Sequence, residues 1–160
     1  LLAFCHEQGV HMTHVKPHGA LYNMAAKDYA LAKAVCEGIR AADESLILLA
    51  LSGSRMLEAA EGAGLSCASE VFADRAYAPD GSLVPRSQPG SMIKDADEAA
   101  RRVVRMVKEG KVRAIDGKDI SIQADSVCVH GDSLSALDFV KRIRENLERE
   151  DIACLPLERK

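Results

Sequence analysis

The sequence has no tryptophan, only 4% aromatic residues and a formal net charge of −3. Proteins that bind nucleic acids usually present a basic surface, often with aromatic side chains that stack on bases. Apolar runs are short as well: the longest, residues 46–51, is far below the roughly 20 residues that a membrane-spanning helix needs. We therefore expect a soluble protein that binds neither nucleic acid nor membranes.

Paired cysteine motifs are also lacking. The five cysteines are widely spaced, lie mostly among aliphatic residues, and form neither a CxxC pair nor a zinc-site spacing. Thiols in such surroundings are typically small buried hydrophobic groups, and free thiols persist in reducing compartments. The expected location is therefore the cytoplasm.

Strand-like and helix-like segments alternate along the chain. The strand candidates are residues 11–16, 46–51, 65–71 and 126–129, and the helix candidates are residues 24–42, 55–63, 95–109 and 134–149. This alternation predicts one α/β domain over residues 1–160 with parallel strands. Four strands are too few to close a β/α barrel of the common eight-stranded form, so the fold is either an open doubly wound sheet or about half of a barrel.

The helices show one apolar face each, and two other segments are rich in turns. Residues 72–93 form a long loop, and residues 112–124 form a small hairpin about Asp116-Gly117 or a plain loop. The helical period assigns the following residues to buried faces: Val103, Val104, Val107, Leu137, Val140, Ile143 and Leu147.

Polar residues lie at the end of each of the four predicted strands, with Ser52-Gly53-Ser54 after the second. In parallel α/β folds the carboxyl ends of the strands meet at one edge, where functional groups gather. The candidate site residues, including two arginines from the long loop, are Lys16, His18, Glu70, Asp74, Arg75, Arg86, His130, Gly131 and Asp132.

Simpler explanations exist for several of these residues. His14 lies on the same strand face as Lys16 and His18, and its role is equally compatible with structural support. Asp132 could cap the last helix, and Arg86 could form a surface ion pair. The basic run over residues 101–113 is interpreted as the solvated face of a helix.

A metal site is also open at this point. His18, Glu70, His130 and Asp132 are residue types that bind divalent ions, but the sequence has no HxH or HExxH spacing. Whether a metal is used therefore stays unknown from the sequence.

Five segments in order resemble the LamB/YcsF family. They are residues 15–23 (VKPHGALYN), 70–77 (EVFADRAY), 80–90 (DGSLVPRSQPG), 116–120 (DGKDI) and 127–132 (VCVHGD). The resemblance implies a partial, TIM-like β/α barrel related to carbohydrate deacetylases. Two amino-terminal motifs of the family do not occur here, and residues 1–8 are typical of a helix already under way that Gly9 ends. We therefore expect the carboxy-terminal part of such a barrel.

The resemblance also implies a reaction. It is the ATP-dependent opening of the lactam ring of 5-oxo-L-proline to L-glutamate, with ATP as cofactor, Mg²⁺ implied beside it, and 5-oxoprolinase subunits B and C as partners. Lys16 would then stabilise oxyanion or phosphate charge, while His18 and His130 move protons. Glu70 or Asp74 would orient water, and Arg75 or Arg86 would hold a carboxylate.

Two further residues have implied binding roles. Gly131 would let substrate approach the backbone, and Asp132 lies beside it at a helix N-terminus that attracts anions. Two alternatives stay open: a metal-dependent amide hydrolase of the deacetylase type, and a non-catalytic subunit that only binds the small acid.

Overall fold

The computed structural model describes residues 1–131 and 136–159. Its helices are α1 (Leu2–Glu7), α2 (Ala20–Ala25), α3 (Tyr29–Ala42), α4 (Arg55–Ala63), α5 (Ala96–Glu109) and α6 (Ala136–Arg149). Its strands are β1 (His14–Val15), β2 (Ile47–Leu51), β3 (Cys67–Phe72), β4 (Lys111–Arg113), β5 (Asp119–Ser121) and β6 (Ser126–Cys128).

Four of these strands form one sheet in the order β1-β2-β3-β6. The pairings of β1 with β2 and of β3 with β6 are parallel. Every residue of β2 is buried, as expected of a strand with both faces covered. The predicted α/β fold with four parallel strands is confirmed.

The chain divides into two compact units. The first unit comprises residues 1–50, 55–68 and the chain end from Pro156. In its interior, α3 and α4 bury small and flexible side chains, and the Cys36 thiol donates to the Met56 carbonyl over 3.8 Å. Burial, with a smaller effect of Cys67, raises the pKa of Cys36 to about 11. The five cysteines are all free thiols in the described chain.

The second unit comprises residues 51–54 and 69–155. One hydrophobic cluster joins the end of β3 to two helices, with Ala73, Ala99, Ala100, Val103, Phe139, Ile143 and Leu147 at its centre. Val129 packs against the same cluster. This division into two compact units does not test the prediction of one domain over residues 1–160, which stays a prediction.

The long loop after β3 is tightly folded rather than open. Isolated bridges pair Arg75 with Met92 and Tyr77 with Leu83. Tyr77 is fully buried, and the backbone N–H of Phe72 donates to its hydroxyl oxygen over 2.8 Å. Burial raises the pKa of Tyr77, so the phenol stays neutral. The loop therefore has a core of its own, which holds its ends in place.

Several element boundaries differ from the sequence-based prediction. The single helix predicted over residues 24–42 is two helices, because the Asp28 side chain accepts a hydrogen bond from the Leu31 N–H and caps α3. The strand predicted over residues 11–16 is only His14–Val15, which pairs with two residues of β2. The hairpin alternative for residues 112–124 is the one observed, with β4 starting one residue earlier, at Lys111, and pairing antiparallel with β5.

The buried face of α6 was predicted wrongly in part. Leu137 is 63% exposed and Val140 is 39% exposed, whereas Phe139, Ile143 and Leu147 are buried. The buried row runs at steps of four residues from Phe139, and Leu137 lies about 200° around the helix from it. On α5, Val103 is buried but Val107 is 36% exposed.

Candidate active site

The centre of the candidate site is a hydrogen-bonded pair formed by Asp74 and His130. Phe72 of β3 is paired with Cys128 of β6. Asp74 and His130, each two residues beyond the end of its strand, therefore lie at the same level of the sheet. The Ala73 N–H donates to the Cys128 carbonyl over 3.1 Å, which extends the register to this point. The sheet therefore places a carboxylate and an imidazole side by side.

The pair has the geometry of a preorganised proton-transfer group. The distance from His130 Nδ1 to Asp74 Oδ2 is 2.7 Å, and the His130 backbone N–H donates to the same oxygen over 3.3 Å. An ionised carboxylate only accepts, so the proton of a neutral His130 is assigned to Nδ1. Nε2 is then the nitrogen that can accept a proton from a reacting group.

Burial is uneven across the pair. The Asp74 side chain is 9% exposed and the His130 side chain is 25% exposed. The His130 ring also stacks on Phe72, with ring centroids 5.7 Å apart and an angle of 27° between the planes. The carboxylate is thus kept from water while the imidazole retains an accessible edge, as a group that exchanges protons with a substrate requires.

Among the described residues of this unit, the carboxyl groups of Glu70 and Asp74 are buried. Asp74 Oδ1 has no hydrogen-bond partner among the described residues. Glu70, two residues before the end of β3, is 3% exposed, and its backbone is level with Ser126 of β6. Both carboxylates therefore lie within the second unit rather than on its surface.

The two arginines of the long loop have different environments. Arg75 is 7% exposed, and its Nη2 donates to the Val84 carbonyl over 2.6 Å. Burial, with the neighbouring charge of Arg86, lowers the pKa of Arg75. Arg86 is exposed. Of the two guanidinium groups, Arg86 is the one that a dissolved carboxylate or phosphate can reach.

Three residues of the site surroundings are not identified by the sequence analysis. Phe72 stacks on His130, Tyr77 accepts from Phe72, and Arg102 of α5 donates from Nη2 to the Arg75 carbonyl over 3.0 Å. The sequence does hold one signal for Arg102, which lies three residues after the buried Ala99 and four before the buried Met106. That position borders the buried face of the helix rather than its solvated face.

The end of β1, in the first unit, carries Lys16 and His18. Lys16 is half-buried, and its Nζ lies 5.3 Å from the centre of the Tyr22 ring, a cation–π contact. Tyr22 is 4% exposed. Pro17 is buried and His18 is exposed. His14, one of the two residues of β1, is exposed and bonded through Nδ1 to Thr13 Oγ1 at 2.9 Å.

For the remaining predicted site residues, Gly131 and Asp132, the structure gives little information. Gly131 is exposed. Asp132 lies outside the described residues. Across residues 1–131 and 136–159, no three His, Cys, Asp or Glu side chains come together in a way that could hold a metal ion. Over the same ranges, no helix combines the length and apolar character needed to cross a membrane.

Comparison with known proteins places the chain in a family. It matches the LamB/YcsF family over residues 1–160 and belongs to it. The chain is similar to a solved structure, a lactam utilization protein from Thermus thermophilus, with a TM-score of 0.88 and 42% identity. That match covers 98% of this chain and 62% of the other, and it confirms the predicted fold as part of a β/α barrel.

Curated relatives share one name. The chain is 59% identical over 155 residues to the 5-oxoprolinase A subunit of Clostridium beijerinckii, covering 97% of this chain and 61% of that relative. It is 54% identical over 157 residues to the 5-oxoprolinase A subunit of Pyrococcus abyssi, covering 98% of this chain and 62% of that relative. The chain therefore spans about three-fifths of the length of these relatives.

Proposed function

We propose that this chain provides part of the acid–base machinery of a 5-oxoprolinase, within its A subunit. The reaction would open the lactam of 5-oxo-L-proline to L-glutamate, coupled to ATP hydrolysis, in a cytoplasmic complex with subunits B and C. The observation that carries the proposal is the 2.7 Å contact between Asp74 and His130. The identity to relatives of that name supports the substrate and the partners.

The chemistry explains why ATP is needed. An unstrained five-membered lactam is a poor electrophile, and ATP, with Mg²⁺, would supply a phosphoryl group to the amide oxygen that makes the amide carbon more electrophilic. Attack of water on that carbon and departure of the ring nitrogen would give an acyl phosphate, which a second water would hydrolyse to L-glutamate and phosphate. Opening the ring therefore needs a proton removed from the attacking water and a proton delivered to the departing nitrogen. His130 is suited to both proton transfers, because Asp74 fixes the orientation of its ring and stabilises the imidazolium that exists after the first transfer and before the second.

The remaining roles in the reaction are proposed for the other candidate residues. Lys16 stabilises oxyanion or phosphate charge, His18 moves a second proton, and Glu70 orients water. Arg86 binds the substrate carboxylate, since Arg86 is exposed whereas Arg75 is buried. Gly131 and Asp132 are proposed to border the bound substrate.

The direct test follows glutamate release from 5-oxo-L-proline with and without ATP. It uses the complete gene product together with its B and C partners. His130→Gln is expected to lower turnover at least about a hundredfold, because a glutamine cannot relay protons. His11→Gln is the matched control, since His11 is exposed and lies outside the proposed machinery.

The outcomes separate the alternatives. ATP-dependent release that His130→Gln abolishes supports the proposal. Release that persists without nucleotide and stops with a chelator would indicate a metal-dependent amide hydrolase of the deacetylase type. Tight binding of 5-oxo-L-proline with no turnover, even beside B and C, would indicate a binding subunit.

A further inference from the structure

We propose that Arg102 is a positioning residue for the Asp74–His130 pair, acting through the backbone that carries Asp74. The hydrogen bond from Arg102 Nη2 to the Arg75 carbonyl, at 3.0 Å, carries this inference. It rests on the proposed function only for its effect on turnover, because the geometry of the pair can be measured without substrate.

Hydrogen bonds of the backbone hold the segment that carries Asp74. It follows β3, and its backbone leaves the regular ladder after the bond from Ala73 to Cys128. The Asp74 carbonyl accepts from the Ile93 N–H over 2.9 Å, and the next carbonyl, that of Arg75, accepts from Arg102. Successive carbonyls are therefore held, one by the loop's own backbone and one by a helix.

The helix that supplies Arg102 packs into the hydrophobic cluster of the second unit. Val103, the next residue, is fully buried in the cluster that also contains Ala73. Val129, which precedes His130, packs on the same cluster. Ala73 and Val129 immediately precede the two members of the pair, so both of their chain segments border the hydrophobic cluster that contains Val103. The hydrogen bond from Arg102 adds a polar contact to the apolar contacts of this cluster.

The environment of Arg102 suits a fixed cation. Burial lowers the pKa of Arg102, and this effect is opposed by Tyr77, Glu98 and Asp74. A guanidinium stays charged in proteins, so a positive charge is retained near the Asp74 carboxylate. Its Nε is buried without a hydrogen-bond partner among the described residues. The buried guanidinium of Arg102 is therefore held by its other contacts, one of which is the hydrogen bond from Nη2 to the Arg75 carbonyl.

The test compares Arg102→Met and Arg102→Lys with Arg101→Met in the complete gene product. Methionine keeps much of the side-chain length but has neither donor nor charge, whereas lysine keeps both. Arg101 is the adjacent arginine of α5 and is exposed, so it is a matched control. Two quantities are measured: the exchange rate of the His130 Nδ1 proton by NMR on ¹⁵N-histidine-labelled protein, and the kcat and KM for 5-oxo-L-proline.

Arg102→Met is expected to speed exchange of the Nδ1 proton and to lower kcat about 10- to 100-fold, with KM within about twofold of its original value. Arg102→Lys is expected to restore slow exchange and most of kcat, and Arg101→Met to change neither. Unchanged exchange in Arg102→Met, or a loss confined to KM, would overturn the proposal. If Arg102→Met does not fold, fast exchange in a folded Arg102→Lys protein overturns it and slow exchange supports it.

The experiments distinguish a failure of the proposed function from a failure of the proposal for Arg102. Full turnover in His130→Gln would remove the pair from the mechanism, yet the exchange rates would still report whether Arg102 positions it.

Discussion

The ends of β1 and β3 carry similar polar signals in the sequence but differ in how their side chains are held. After β3, Asp74 is bonded directly to His130 and lies in a buried, hydrogen-bonded loop. After β1, His18 is exposed, and Lys16 lies over the ring of Tyr22. The first unit thus presents candidate side chains close to solvent, while the second unit fixes a pair before any ligand binds.

This difference leads us to propose different roles for the ends of β1 and β3. A preorganised pair suits proton transfer, because its geometry costs no reorganisation during the reaction. Exposed and half-buried groups suit contacts that form only when substrate or ATP is bound. We therefore expect substitutions after β3 to affect the chemical step most, and substitutions after β1 to affect binding and chemistry together.

Asp74→Asn should give the largest effect. An asparagine can turn its amide NH₂ toward His130 Nδ1, which favours the tautomer with the proton on Nε2 and removes the base. We expect kcat to fall about 10³-fold with little change in KM. Steady-state kinetics of glutamate release measure this, and circular dichroism checks that the fold is kept. A fall of less than tenfold would contradict the idea that the pair acts as a unit.

His18→Gln should come next, with turnover at least about a hundredfold lower and little change in melting temperature. His18 is exposed, so few packing contacts are lost with its ring. His14→Gln is the matched control, since this exposed histidine bonds its neighbour Thr13 and lies outside the proposed machinery. Near-normal turnover in His18→Gln, or a loss no larger than that in His14→Gln, would remove His18 from the mechanism.

Local signals made much of the fold predictable. The boundaries of α4 match the prediction, and α5 begins where the Asp95 side chain accepts from the Glu98 N–H and ends at Gly110 in a left-handed conformation. These features depend on neighbouring residues, so a short window of sequence contains them. The face of α6 could not be predicted equally well, because the cluster around Phe139 decides it and apolar residues lie on more than one face.

The candidate site shows the same limit. Asp74 and His130 could be identified as strand-end residues, but their contact depends on the register of β3 against β6. That register joins segments 56 residues apart in the chain, and no local pattern sets it. The position of Arg102 depends on how α5 packs against the loop. The sequence alone therefore does not distinguish Arg102 from the other basic residues of the segment 101–113.

Tyr77→Phe should give the smallest of these effects and tests why the end of β3 is rigid. The substitution removes the hydroxyl that accepts the Phe72 N–H, in a position with 0% exposure, without touching Asp74 or His130. Removing one partner of a buried hydrogen bond costs about 1–3 kcal/mol. We expect that loss in the free energy of unfolding, measured by urea denaturation with an unchanged m-value. Tyr29→Phe, at a tyrosine that is 43% exposed, should change it by less than about 0.5 kcal/mol. Equal losses in both variants would show that the buried loop does not owe its rigidity to Tyr77, and the contrast with the end of β1 would then rest on the Asp74–His130 pair alone.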